Sequence, residues 1–156
     1  MIRVLFVCLG NICRSPMAEA ILRDKIQKEN LSGKIEVDSA GTAGWHTDKP
    51  PHNGTRKLLD RMKISYEGMK ARQIHQNDFT DFTYIIAMDD QNIKDLKKQY
   101  QIHDDIVVAK LLDYVKESKE VNVPDPYYTG DFDYTYTLVL SGVDNLLAHI
   151  KEEHNI

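Results

Sequence analysis

The sequence predicts an α/β fold, a single domain over residues 1–156 in which a doubly wound, parallel, four-stranded sheet carries helices on both faces. Three observations lead there. Short apolar runs alternate with amphipathic helical patterns along the whole chain. The first run, Ile2 to Val7, is almost uninterrupted, the pattern of a strand covered on both faces. A chain of 156 residues with 42% hydrophobic and 28% charged side chains has the size and balance of one globular core.

Taken in order, Ile2 to Val7 is the first strand and ends at Cys8. Gly10 and Asn11 supply a turn, Ser15 a helix cap and Pro16 the first helical residue, where a missing N–H does no harm. The helix should run from about Pro16 to Glu29 with Met17, Ala18, Ile21 and Leu22 inward. Lys34 to Ser39 is expected as the second strand, Asn53 to Met62 as a helix burying Leu58 and Leu59, and Thr83 to Met88 as the third strand. Gln91 to Gln99 is helical in pattern, and Asp105 to Lys110 offers the fourth strand. The last helix is the most regular, with Phe132, Tyr136, Val139, Val143, Leu146, Leu147 and Ile150 at steps of three and four. Right-handed crossovers between parallel strands place any ligand beyond the carboxyl ends of the strands, where Cys8 and the residues after it lie. Gly41 to Pro51 and Asn122 to Asp131 read as long loops, which on a rigid scaffold tend to carry chemistry.

A net charge of −4 with both signs interspersed leaves no broad basic surface, so neither nucleic acid nor an anionic membrane is expected as a partner. The apolar start is broken at once by Gly10, Asn11 and Arg14, so it reads as a strand and not as a leader peptide. No stretch approaches the roughly 20 apolar residues that a membrane span needs, and a cytoplasmic location is expected. The two cysteines, Cys8 and Cys13, lie in one short segment, which excludes a framework of structural disulfides. They lack the further cysteines or paired histidines of a zinc site, and no metal or cofactor is expected.

The segment Cys8-Leu9-Gly10-Asn11-Ile12-Cys13-Arg14-Ser15-Pro16 places a cysteine and an arginine six positions apart, between a buried strand and a helix start. The residues between them can curl until successive backbone N–H groups converge on a tetrahedral anion, and the helix N-terminus adds donors and partial positive charge. Leu9, Gly10, Asn11, Ile12, Cys13 and Ser15 are therefore candidates to bind phosphate. Arg14 closes the ring with a planar fork that can engage two phosphate oxygens, which lysine could not reproduce. Gly10 and Asn11 are the residues best able to adopt the left-handed conformations such a curl requires. The same donors would stabilise a thiolate at Cys8, a nucleophile aimed at phosphorus. The plainer alternative is a small apolar residue ending a strand and an ordinary surface arginine. It does not account for the preceding strand, the Gly-Asn pair and the Ser-Pro pair together. The Gly-Lys-Ser/Thr of a nucleotide-binding loop is absent.

That segment, together with Asp125-Pro126-Tyr127-Tyr128, closely resembles the low-molecular-weight protein tyrosine phosphatases. The likeness runs through essentially the whole chain, including Val37-Asp38-Ser39 and Ala71-Arg72-Gln73. It implies hydrolysis of phosphotyrosine monoesters through a phosphocysteine at Cys8, with phosphotyrosine-containing proteins as substrates and inorganic phosphate as product. It also implies that Asp125 protonates the leaving phenolate and then activates the water that attacks the phosphocysteine. A phenolate whose conjugate acid has a pKa near ~10 needs such a donor. Pro124 and Pro126 would stiffen the loop that presents it.

Tyr127 and Tyr128 follow the acid, and Trp45 lies in the other long loop; these rings could flank a phenyl group, or each could be a rim or core residue. Ser15 could hydrogen-bond the Cys8 sulfur, cap the helix, or do both. Ser39 and Asn11 could brace the loop through side-chain hydrogen bonds. By resemblance Cys13 is a possible redox partner of Cys8; otherwise it is a packed thiol. Many members of the family carry a histidine just before Ala-Arg-Gln that helps hold the loop asparagine, whereas Met69 and Lys70 stand here, which puts the bracing of Asn11 in question. The six histidines read as scattered surface or turn residues, and the protein is expected to be a monomer or weak homo-oligomer.

Three other activities share this kind of loop. An arginine phosphatase would be expected to carry threonine in place of Ile12 and a less aromatic acid loop; Ile12 would crowd a phosphoguanidinium group, whereas Tyr127 and Tyr128 suit a phenyl ring. A thioredoxin-coupled arsenate reductase needs cysteines beyond Cys13, and the sequence has none. A non-catalytic phosphotyrosine-binding module would be expected to have lost Cys8 or Asp125, and both are present.

Overall fold

A computed structural model describes residues 1–156. The chain runs β1 (Ile2–Cys8), α1 (Arg14–Lys28), β2 (Ile35–Gly41), α2 (Asn53–Arg61), α3 (Asp78–Asp81), β3 (Tyr84–Ala87), α4 (Asp90–Gln99) and β4 (Val107–Lys110). A 3-10 turn (Leu111–Tyr114), the short α5 (Pro126–Thr129) and the long α6 (Phe132–His154) complete it. All four strands are parallel in one sheet of order β2-β1-β3-β4, the doubly wound arrangement that the alternating pattern predicts.

β1 lies inside the sheet, and its side chains alternate between two cores. Val4, Phe6 and Cys8 face one, built with Met17, Ile21 and Leu22 of α1 and Val139, Val143 and Leu146 of α6. Leu5 and Val7 face the other, with Phe79 of α3, Ile85 of β3 and Leu96 of α4. Coverage on both faces is the reason the run reads as continuous rather than alternating. Register aligns the strand ends: Cys8 pairs with Gly41, Val7 with Ala87, and Ala87 with Lys110. The segments that leave β1, β2 and β3 therefore open side by side at one edge of the sheet.

Two local expectations fail. Ser15 does not cap α1; the helix begins at Arg14, its cap residue is Cys13, and no side chain closes the end. The hydroxyl of Ser15 is engaged elsewhere, as described below, and the first turn is buried instead of facing solvent. The segment Asn122 to Asp131 is not wholly a loop. Asp125 accepts a hydrogen bond from Tyr127 N and Pro126 occupies the first turn, which starts α5. Like α3 and the 3-10 turn, α5 spans only four residues, too short for a periodic signal. No helix is long and apolar enough to cross a membrane.

Candidate active site

Residues 9–13 leave β1 and turn directly into α1. Their outer side is anchored by carbonyls. Cys8 O accepts from Thr42 N (2.9 Å), Leu9 O from Ala43 N (3.0 Å), Ile12 O from His52 N (2.7 Å) and Cys13 O from Thr55 Oγ1 (3.2 Å). The N–H groups of Leu9, Gly10, Asn11, Ile12, Cys13 and Arg14 donate to no protein acceptor. A consecutive run of free donors at a helix N-terminus suits a tetrahedral anion. The curl takes its left-handed step at Asn11, with φ 57°. Gly10, expected to share that conformation, does not have a positive φ. Its missing side chain supplies room instead, since a Cβ there would lie 3.0 Å from His46 Cδ2.

Behind the loop, a chain of buried hydrogen bonds ends at the sulfur. Arg72 N donates to Asn11 Oδ1 (3.0 Å), which fixes the amide so that Asn11 Nδ2 donates to Ser15 Oγ (2.7 Å) and Ser39 Oγ (2.9 Å). Ser15 Oγ accepts from that amide and lies 3.0 Å from Cys8 Sγ; it donates to the sulfur when Cys8 is a thiolate and can accept from it when Cys8 is a thiol. Ser39 in turn donates to Glu19 Oε1 (2.6 Å). The bracing that a histidine would provide comes here from Ser15, Ser39 and the Arg72 amide. Arg72 is itself forked across Asp38 (3.1 Å) and Asp78 (3.0 Å). Burial opposes its charge, but those two carboxylates outweigh it and raise the guanidinium above its usual range.

Arg14 is buried beneath the loop. Its Nη1 donates to Asp89 Oδ2 (2.6 Å) and Val123 O (2.9 Å), and its Nη2 to Asp125 Oδ2 (3.3 Å). Its Nε is buried and meets no acceptor in the protein. Burial works against its charge, while Cys8, Asp125 and Asp89 raise it further and keep it cationic. Asp89 was not among the residues expected from the sequence. It caps α4 by accepting from Asn92 N (2.8 Å) and simultaneously orients Arg14. The available signal was its place just past the carboxyl end of β3, where ligand-handling groups of parallel sheets gather. Val123 N donates to Met88 O (2.9 Å), tying the Asp125 segment to the same edge.

Cys8, Leu9, Gly10, Ile12, Cys13, Trp45, His46, Asp125, Tyr127 and Tyr128 line one cavity of about 290 Å³. His46 is the member that the sequence reading missed. Arg14, Asn11, Ser15 and Ser39 are buried behind the lining. Trp45 and Tyr128 are largely exposed and Tyr127 about half so, which makes the three aromatic rings a rim. His52 stands 5.8 Å from the Tyr127 ring and His46 6.4 Å from it, so two of the six histidines belong to this region and are not scattered. His46 lies within the segment Gly41 to Pro51 and His52 directly follows it, and the length of that segment was the signal. No group of three or more His, Cys, Asp or Glu side chains is placed to hold a metal ion.

Two buried groups carry displaced protons. The Cys13 thiol is pushed up to about 12, first by burial and then by the negative charges of Cys8 and Asp125, so it remains protonated. Burial pushes Glu19 up to about 7 from 4.5, against the hydrogen bond from Ser39. The folded protein thus holds a proton that an unfolded chain has already released. The resulting stability is fully present below about pH 4.5 and is lost as pH rises through about 7. Glu19→Gln should flatten that decline, as read by calorimetric Tm across this range; an unchanged slope would assign the decline to other groups.

A family model described as low molecular weight phosphotyrosine protein phosphatase matches residues 3–156. The chain is 53% identical, over 156 residues and 100% of both chains, to the low molecular weight protein-tyrosine-phosphatase YfkJ of Bacillus subtilis. It aligns with the crystal structure of that protein at a TM-score of 0.95 and 54% identity, covering 98% of this chain and 96% of the other. A drosophila arginine phosphatase is similar at a TM-score of 0.87 and 34% identity, covering 95% of this chain and 97% of the other.

Proposed function

The chain belongs to the low-molecular-weight protein tyrosine phosphatase family, and from that premise we propose that it hydrolyses phosphotyrosine through a phosphocysteine at Cys8. The observation that carries this reading is the run of amides from Leu9 to Arg14 without protein acceptors, in a loop whose Leu9, Gly10, Ile12 and Cys13 line one cavity with Cys8 and Asp125.

In the first step Cys8 Sγ attacks phosphorus in line, the bond to the phenolic oxygen breaks, and Asp125 gives that oxygen its proton. The loop amides and Arg14 stabilise the equatorial oxygens, where charge accumulates. In the second step Asp125 takes a proton from water as the water attacks phosphorus. Inorganic phosphate leaves, and the Cys8 thiolate departs towards the hydroxyl of Ser15. Tyr127, Tyr128 and Trp45 flank the phenyl ring, and Ser39 and Asn11 keep the loop in register.

On the same reading residues 1–156 act as one phosphatase domain in the cytoplasm, on tyrosine-phosphorylated proteins, as a monomer or weak homo-oligomer, without metal or cofactor. If peroxide converts Cys8 to a sulfenic acid, Cys13 can condense with it, forming the S–S bond and releasing water. The deciding assay is phosphate release, with a chelator present, from a phosphotyrosine peptide and a phosphoarginine protein side by side. Preference for phosphotyrosine is expected, because Ile12 and the paired tyrosines offer an apolar slot. Preference for phosphoarginine would keep the cysteine chemistry and overturn the substrate.

A further inference from the structure

Tyr127 is half exposed and follows directly on the acid, so its ring needs support if it is to meet a substrate in one orientation. Three rings stand around it. Tyr128, at 5.3 Å, is itself the most exposed side chain of the rim, and His46, at 6.4 Å, makes no side-chain hydrogen bond. His52 differs from both because its own position is determined several times over. It precedes α2, and its Nδ1 accepts from Gly54 N (3.0 Å), so the proton of the neutral ring is on Nε2. One face stacks on Phe132, with centroids 5.3 Å apart and planes 18° from parallel. Its backbone N–H holds Ile12 O of the cradle (2.7 Å).

Phe132 is equally constrained. It packs on Ile12, Cys13 and Ala71, and it lies so close over α2 that a Cβ on Gly54 would fall 2.4 Å from its ring. The imidazole of His52 is thus clamped between the start of α2 and the start of α6, and it meets Tyr127 in a T-shaped pair at 5.8 Å and 74°. This is the geometry aromatic pairs favour. We propose that His52 is a positioning residue that orients Tyr127 as a wall of the cavity and thereby favours aromatic phosphomonoesters. The inference rests on Tyr127 contacting the substrate ring. Holding that ring in place before substrate arrives removes an ordering cost from binding.

Two substitutions separate the ring from the cap. His52→Asn keeps a good capping side chain and removes the ring, whereas His52→Phe keeps a ring and removes the cap. His52→Asn should raise KM for a phosphotyrosine peptide about 2- to 12-fold, the range an aromatic pair of this kind supports. It should leave kcat and the inhibition constant of inorganic phosphate unchanged. His52→Phe should lower Tm with KM unchanged. In a Tyr127→Ala background, His52→Asn should add nothing to KM. If Tyr127→Ala raises KM but His52→Asn does not, the proposal fails while the wall stands; if Tyr127→Ala changes nothing, the wall itself is wrong. A parallel rise in the phosphate inhibition constant with His52→Asn would overturn the proposal by showing that the cradle had moved through Ile12.

Discussion

Cys8→Ser should reduce phosphotyrosine turnover by on the order of a million-fold, the scale seen when an enzyme loses its nucleophile. The reason is specific to this site. The sulfur sits at the base of the loop amides and the helix N-terminus, with Ser15 Oγ 3.0 Å away, and an alcohol in the same place is a far weaker nucleophile than a thiol. The anion cradle is otherwise independent of the sulfur, since its donors belong to the backbone and to Arg14. Inorganic phosphate should therefore bind the variant at least as tightly as the wild type, because a dianion no longer faces a thiolate. Titration calorimetry with phosphate, beside single-turnover kinetics, reads both quantities. Residual turnover within tenfold of wild type would remove Cys8 from the nucleophile's role, and loss of phosphate binding would mean that the substitution had collapsed the loop.

The second large effect is expected at Asp125. Asp125→Ala should lower kcat/KM for a phenolic leaving group of pKa about 10 by roughly a hundred- to ten-thousand-fold, and much less for a leaving group that departs as a stable anion. The carboxylate has two other tasks, capping α5 through Tyr127 N and pairing with Arg14, and either could mimic a catalytic loss. Asp125→Asn separates them, because an amide still caps a helix but cannot deliver the proton. Equal losses in the Ala and Asn variants, both growing steeply with leaving-group pKa, identify the acid. A loss that ignores the leaving group would point to Arg14 or to α5 instead.

The chemistry of the cradle was legible because it is local. Cys8, the donors after it, Arg14 and the helix start fall within one short stretch, so their order along the chain already shows them together, although distant groups such as Thr42, His52 and Arg72 hold the loop in place. The same locality misled at Ser15. Ser-Pro before a helical pattern is a cap by every short-range criterion, yet the hydroxyl goes to Cys8 and Asn11 because the loop folds back over the first turn. Gly10 misled for a related reason: a glycine beside an asparagine suggests backbone freedom, whereas the demand there is space against His46.

What the sequence determined by itself is the alternation of strand and helix, the continuous apolar run of a doubly covered β1, and the phosphate loop between Cys8 and Ser15. Asp125 was found through its resemblance to a family, and no pattern in the surrounding residues marks it as an acid. Tertiary structure alone decided which distant groups complete the site. Asp89 reaches Arg14, Arg72 holds Asn11, Glu19 receives the Ser39 hydroxyl, and His52 supports Tyr127. The physical reason is that a parallel sheet returns every strand to the same edge by a crossover, so neighbours at that edge are set by strand order and register. Side chains from the loops and helices that adjoin different strands meet there regardless of their separation along the chain, and no periodicity or local propensity records the meeting.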